Sequence, residues 1–393
     1  MLTSPKVVKK SFAIDKTLLL VLILLFSFNL IAVYASIPLT VAGSMMLLYK
    51  QAFWILLGFG FLIFLLIFGI DRLFTSANIF YWILLFMLVL LLLDKYIDLP
   101  FIRPVSGTRA WFQLGNIASF QPSEFMKVIL IIQTANIVDH HNSIKKDDSA
   151  YSDIKLFAKV LAYAIPPLLL ILAQPDTGLP IIIVISLSVM IMVSGIRRFW
   201  IVLYGVIVIG TISLVIFLFE TNPGFLARIL GDVYKLNRFY GWLETENYIS
   251  SYGNQLYQAL LAVGSAGWTG HGIQSTLVYF AEPQNDFIFA VIGQNFGFIG
   301  SAIVVIVNTV LDLKLLSIAM KFEKQREKIM VAGLLGMLLF QQIENMGMIV
   351  GLLPITGITL PFISSGGSSL LSYMIPFAII FQMSSENILR NVK

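Results

Sequence analysis

Asp286 closes the longest polar stretch of the chain, which runs from about Glu220, and stands directly before the apolar run Phe287-Ile288-Phe289-Ala290-Val291-Ile292. A carboxylate there lies at the lip of a membrane, between water and hydrocarbon. Ionisable groups at such places are costly and mark functional sites, although Asp is also a favoured N-cap for the helix that follows. Three more carboxylates, Glu124, Asp176 and Glu282, fall in or beside polar segments. So does a basic set: Arg109, Lys127 and Arg238, with Arg103, Arg228 and Lys235 as weaker members. Cations beside a carboxylate at a membrane lip suit an anionic lipid. The arginine fork matches a phosphate group bidentately, and a carboxylate can take a proton from a hydroxyl. The same charges can instead form structural ion pairs. Glu124 and Lys127, three apart on one helix, can simply pair with each other.

The elements that must position these groups are membrane spans. Of 393 residues, 58% are hydrophobic and 12% charged, about half the charged share of a soluble protein. The chain therefore reads as an all-α polytopic membrane protein. Its net charge of +5 is a question of sidedness, not a nucleic-acid footprint. No cysteine is present, which excludes disulfides, thiolate metal sites and a cysteine nucleophile. His140 and His141 have no third ligand near them in sequence and read as solvated. Lys6, Lys9, Lys10 and Lys16 precede an apolar run from about Leu18 to Ala35. It lacks a cleavage pattern and reads as a first span that stays.

Apolar runs at roughly 17–35, 52–70, 79–97, 122–139, 156–173, 179–195, 199–219, 287–309, 330–350 and 370–386 give about ten spans. Pro166, Pro167 and Pro180 interrupt the middle ones. With a cytoplasmic N-terminus, 18 of the 26 basic residues fall on the inner side, which supports that threading and a cytoplasmic C-terminus. Two long polar segments then lie outside, at about 98–121 and, between spans 7 and 8, at about 220–286. The inner loops 139–156 and 310–329 read as solvated connectors. The outer segments are long enough to be functional. Within the second, Leu256 to Val263 has apolar residues at helical spacing and predicts an interfacial or re-entrant helix. Gly293 with Gly297, and Gly347 with Gly351, are small-xxx-small pairs that suit helix packing. Glu344 lies within a span and must face protein or water.

Four ordered blocks resemble the SEDS family of RodA, FtsW and SpoVE type. They are Arg109-Ala-Trp111-Phe-Gln-Leu-Gly115 with Phe120-Gln121-Pro122-Ser123-Glu124-Phe125-Met-Lys127; Gln174-Pro175-Asp176 with Gly178; Gln258 to Gly267, running on to Asp286-Phe287-Ile288-Phe289-Ala290-Val291-Ile292-Gly293; and Gly351 to Gly357 through Leu360-Pro361-Phe362-Ile363-Ser364-Ser365-Gly366-Gly367-Ser368-Ser369. The resemblance covers nearly the whole chain. It implies a peptidoglycan glycosyltransferase of the bacterial cytoplasmic membrane that polymerises lipid II on the outer face. It also implies a class B penicillin-binding protein, a transpeptidase, as partner. The family's essential loop aspartate matches Asp286. Arg109, Trp111, Gln121, Glu124, Lys127, Arg238 and Glu282 form the set expected to bind substrate, with Arg109 and Lys127 meeting a pyrophosphate in water. A divalent cation, magnesium or manganese, can share that task, but no ligand cluster demands one. A weak leaning towards the RodA branch comes from Phe-Gly-Phe-Ile-Gly ending at Gly300.

The chain also departs from the family pattern. Gln284-Asn285 stands for His-Thr, Gln294-Asn295 for Glu-Glu, Ala266 for a glycine and Ser365 for a tyrosine. A lipid II flippase and a non-catalytic scaffold are the competing readings. Deep intramembrane charge would favour the first, and loss of the Asp286 carboxylate function the second.

Overall fold

The computed structural model describes residues 12–97, 99–100, 102, 108–114, 118–145, 147–174, 176–230 and 233–391. Arg103, Gly115 and Pro175 fall outside the described residues, as does the side chain of Lys235. The helices are α1 (Lys16–Ser36), α2 (Met46–Phe68), α3 (Ile70–Ile97), α4 (Pro122–Ile144), α5 (Ala150–Leu172), α6 (Gly178–Met192) and α7 (Arg198–Thr221). After them come α8 (Pro223–Leu230), α9 (Val233–Leu243), α10 (Asn254–Ser265), α11 (Ile288–Lys321), α12 (Gln325–Ile349) and α13 (Gly367–Asn391). Ten of these lie at the ten apolar runs. Among the described residues eight are long and apolar enough to cross a membrane, and α6 is a shorter apolar helix of 15 residues. α4 carries more polar groups and lies inside the bundle.

Local chemistry sets the helix starts. Asp15 caps α1, its carboxylate accepting from the N–H groups of Thr17 and Leu18, and it pairs with Lys314 of α11 at 2.8 Å. Pro122 opens α4 at the first turn, where its missing N–H costs nothing. Pro166 and Pro167 do not interrupt α5, which runs through both. The inner connectors are shorter than the sequence predicts. α11 continues to Lys321, so residues 310–321 are helix, and Asp312 sits buried beside Gln342, whose amide donates at 3.4 Å.

The buried centre is α4 and α12, packed against α3, α6, α11 and α13. At the periphery α7 buries none of its residues, and its main neighbour is α8. The first outer segment folds as an antiparallel hairpin, β1 (Phe112–Leu114) with β2 (Ala118–Phe120), in register Phe112 opposite Phe120. The second folds as α8, α9 and α10, the last covering the predicted 256–263 helix.

α11 breaks at Gly297, which has φ +63°. A helix break inside a membrane frees backbone groups that lipid cannot satisfy. Here the segment after α10 satisfies them. Gln294 and Asn295 carbonyls accept from His271 and Gly272 N–H, while Phe298 and Ile299 N–H donate to Gly267 and Trp268 carbonyls. A Cβ on Gly297 would fall 2.4 Å from Gly270 N, so only glycine permits this approach.

Candidate active site

The four sequence blocks converge at one end of the bundle. The hairpin is tied to the last block through Ser368, whose Oγ accepts from Gln121 N at 3.1 Å and donates to the Ser119 carbonyl at 2.9 Å. The second block touches the same region, because a Cβ on Gly178 would lie 3.3 Å from Ile358. Asp286 arrives in the turn before α11. The N-cap position of α11 is Phe287 and has no side-chain cap, so Asp286 is not the helix's capping residue.

Three consecutive carbonyls of the Asp286 segment are held by the last block and α12. Gln284 O accepts from Ser365 N at 2.9 Å, Asn285 O from Ser364 Oγ at 2.6 Å, and Asp286 O from Asn345 Nδ2 at 2.8 Å. The Asn345 amide also donates to Ile358 O at 2.8 Å. It thereby bridges the Asp286 turn to the Gly357 turn. Gly357 has φ +79°, and its Cβ position would be 3.5 Å from Asp286 Oδ2. Thr356, next to it, donates to Glu344 Oε1 at 2.7 Å, which gives the buried span carboxylate a structural partner.

Burial pushes the Asp286 carboxyl up to about 6, with the Glu282 charge adding to the rise. The N–H groups of Asp286 and Phe287 and the Arg238 guanidinium pull it down without prevailing. Oδ1 is closed off from solvent and has no hydrogen-bond donor. Burial likewise raises the Asp176 carboxyl; Glu124 adds to the rise and Lys127 opposes it.

The basic residues are placed differently from one another. Arg238, on α9, donates to Ile355 O at 3.2 Å. It lines a cavity of about 250 Å³ with Trp242, Tyr252 and Gln255. Arg109 pairs with Asp94 at 2.7 Å and also reaches the Asp94 carbonyl; its side chain is 36% exposed against 1% for Asp94. Lys127 does not stand in water. It is 1% exposed, 2.6 Å from Glu124 Oε2 and 3.2 Å from the Tyr373 hydroxyl, which donates onward to Gln341. The expected water-exposed contact at Lys127 is therefore corrected to an internal ion pair, the (i, i+3) alternative that its spacing already allowed. Glu282 is exposed, at φ +51°, and accepts from the Gln284 and Asn285 amides at 3.0 and 2.8 Å. Trp111 is half-buried just before β1, and Arg228 is exposed on α8. Among the described residues no three of His, Asp and Glu come together to hold a metal ion.

Asp94, Asn345, Ser364 and Tyr373 belong to this architecture and were not singled out from the sequence. Asn345 carried a signal, since it is a polar neighbour of Glu344 inside a span. The departures also acquire reasons. Gln294 donates to Ser275 O at 2.8 Å and accepts from Val278 N at 3.1 Å, while Asn295 accepts from Ser275 N at 3.0 Å. Both are almost fully buried. An amide supplies the donor and acceptor this seam needs, and an ionised carboxylate supplies only acceptors. Asn285 and Ser365, two other departures, meet each other at 2.6 Å. The small-xxx-small glycines are occupied by the chain itself: Gly293 against Val263, Gly297 against Gly270, Gly347 against Leu353 and Gly351 against Leu260. They are not an open docking groove.

The fold and site together are those of a multi-pass helical membrane bundle with a buried-edge carboxylate at one end. Residues 15–388 match the cell cycle protein family of FtsW, RodA and SpoVE, and the chain belongs to that family. Stage V sporulation protein E of Bacillus subtilis is 31% identical over 80% of this chain and 84% of its own length. Peptidoglycan glycosyltransferase MrdB of Escherichia coli is 30% identical over 71% of this chain and 72% of its own. Among solved structures, a chain of a peptidoglycan synthase complex that coordinates polymerization and crosslinking superposes with a TM-score of 0.74 at 22% identity, covering 95% of this chain and 98% of that one. The rod shape determining protein RodA of Thermus thermophilus gives 0.63 at 23% identity, covering 95% and 97%.

Proposed function

We propose that this chain is a peptidoglycan glycosyltransferase that polymerises lipid II into β-1,4 glycan strands at the outer face of the bacterial cytoplasmic membrane. The observation that carries the reading is Asp286. It is a carboxylate pushed up to about 6 by burial, held by three consecutive backbone contacts, in a family whose relatives include named peptidoglycan glycosyltransferases. A base of that strength is matched to neutral pH. The basic residues that fall on the inner side support an extracytoplasmic site with both termini in the cytoplasm.

Asp286 then removes the proton from the acceptor sugar's 4-hydroxyl as that oxygen attacks the donor's anomeric carbon. The bond to undecaprenyl pyrophosphate breaks in the same in-line step, so the configuration inverts and no covalent enzyme intermediate forms. Arg238, whose charge acts on the Asp286 carboxyl, and the part-exposed Arg109 offset charge growing on the leaving pyrophosphate. Gln121, Trp111 and Glu282 are assigned to substrate contact by their family positions, and the Glu282 charge acts on Asp286. Lys127, paired with Glu124, stabilises the bundle beneath. A class B penicillin-binding protein supplies the crosslinks, docking elsewhere than on the internally packed glycines.

The test is incubation of the purified protein with lipid II. Glycan polymer is the expected product. Movement of lipid II across a vesicle bilayer without polymer would establish a flippase instead, and neither activity would leave the scaffold reading. Two buried carboxylates within spans, Asp312 of α11 and Glu344 of α12, are the observations that favour transport.

A further inference from the structure

Across the seam between the Asp286 turn and the last block, Ser365 Oγ donates to Asn285 Oδ1 at 2.6 Å. It is a side-chain to side-chain bond in a row otherwise made by backbone carbonyls. The other end of the same amide, Nδ2, donates to Glu282 Oε2 at 2.8 Å. Asn285 thus has its acceptor on one strand of the seam and its donor on the carboxylate three residues back. Glu282 holds a left-handed backbone at φ +51°, a strained state for a residue with a side chain. Such a state persists only where surrounding contacts fix it, and the two amide bonds to its carboxylate are such contacts.

We propose that Asn285 and Ser365 act as a single pin that positions the Asp286 carboxylate and holds the Glu282 carboxylate at a fixed place beside it. Neither touches the reacting atoms, so both are positioning residues. The proposal rests on Asp286 being the base. The charged groups whose fields reach Asp286 are Glu282, from its own segment, and Arg238, from α9. The last block from Leu352 to Ser369 contributes none, and Glu344 of α12 is turned to Thr356. With Glu282 pinned, its charge keeps Asp286 basic. With Glu282 released to solvent, its influence on Asp286 weakens.

Asn285→Ala, Ser365→Ala and the double variant, each purified in detergent, test this with lipid II as substrate. Losing the shared hydrogen bond lowers kcat about tenfold in Ser365→Ala, and at least as much in Asn285→Ala, which also loses the Nδ2 bond to Glu282. The double variant falls no further than Asn285→Ala alone, because Ser365 Oγ acts only through Asn285. The acid limb of the pH profile moves to lower pH in Asn285→Ala. Ser365→Thr, which keeps the hydroxyl, recovers most of the rate lost in Ser365→Ala. A roughly hundredfold loss in the double variant, the product of two independent effects, or an acid limb unmoved in Asn285→Ala, overturns the pin. Melting temperatures close to the parent's are expected, and a large drop shared by all variants would make the pair a folding contact instead. If the parent polymerises lipid II and Asp286→Asn abolishes polymerisation, the underlying reading stands whatever the pin variants do.

Discussion

The carboxylates Asp286 and Glu124 stand at the same end of the bundle and are treated in opposite ways. Glu124 faces Lys127 at 2.6 Å as an ion pair, though its Oε2 has no hydrogen-bond donor, and the lysine continues by hydrogen bonds into Tyr373 and Gln341, so the carboxylate's charge is met by a close cation. Asp286 has its backbone gripped and its side chain left over. Its carbonyl is taken by Asn345, while Oδ1 is closed off without a donor. A satisfied buried pair holds helices together. A carboxylate kept out of water and denied a close cation has its pKa raised and can accept a proton. In this molecule the separation between structural and chemical charge follows from how the second partner is arranged, not from residue type.

The largest effect expected from breaking this contrast is at Asp286. Asp286→Asn keeps the shape and removes the basic oxygen, so polymer synthesis from lipid II falls about 10²- to 10⁴-fold while the protein remains folded in detergent. Lys127→Met acts on the other side of the comparison. It strands Glu124 in the interior, a loss of about 3–5 kcal/mol, read as a sharp fall in thermal stability. Adding Glu124→Gln recovers part of that loss, because the uncompensated charge is gone. Salt leaves the parent's Lys127 contact unaffected, since screening acts on exposed charges.

A smaller effect is expected at Gly357→Ala. The left-handed φ costs about 1–2 kcal/mol for a side chain, and the new methyl crowds Asp286 Oδ2. Polymerisation falls more than stability does. Smallest is Arg238→Gln. The guanidinium lowers the Asp286 carboxyl, so its removal moves the acid limb to higher pH, the opposite sense to Asn285→Ala.

The spans were legible because lipid forces long apolar runs, and α10 was legible from its helical spacing. The inner connectors were misjudged because Asp312 and Lys314 look like loop residues, yet each has an internal partner, Gln342 and Asp15. Asp286 could be read from its place at the membrane lip and from the family blocks. What held it could not. The seam joins residues 284–286 to 345 and 364–365, and nothing in local sequence announces a contact across 60 to 80 positions. Burial raises the Asp286 carboxyl and Arg238 lowers it, and only the packing decides between them. The glycine pairs near 293 and 347 carried a real packing signal, but spacing alone did not say whose surface they met.

The most direct test is the rate of glycan formation by the purified protein from lipid II as a function of pH. Asp286 must be ionised to act, so activity is full above its pKa and is lost as pH falls through about 6. The expected result is a single acid limb with its midpoint near 6, together with loss of polymer in Asp286→Asn across the whole range. A rate that stays level down to the ordinary aspartate range near 4, or polymer undiminished in Asp286→Asn, would contradict the assignment of Asp286 as the base.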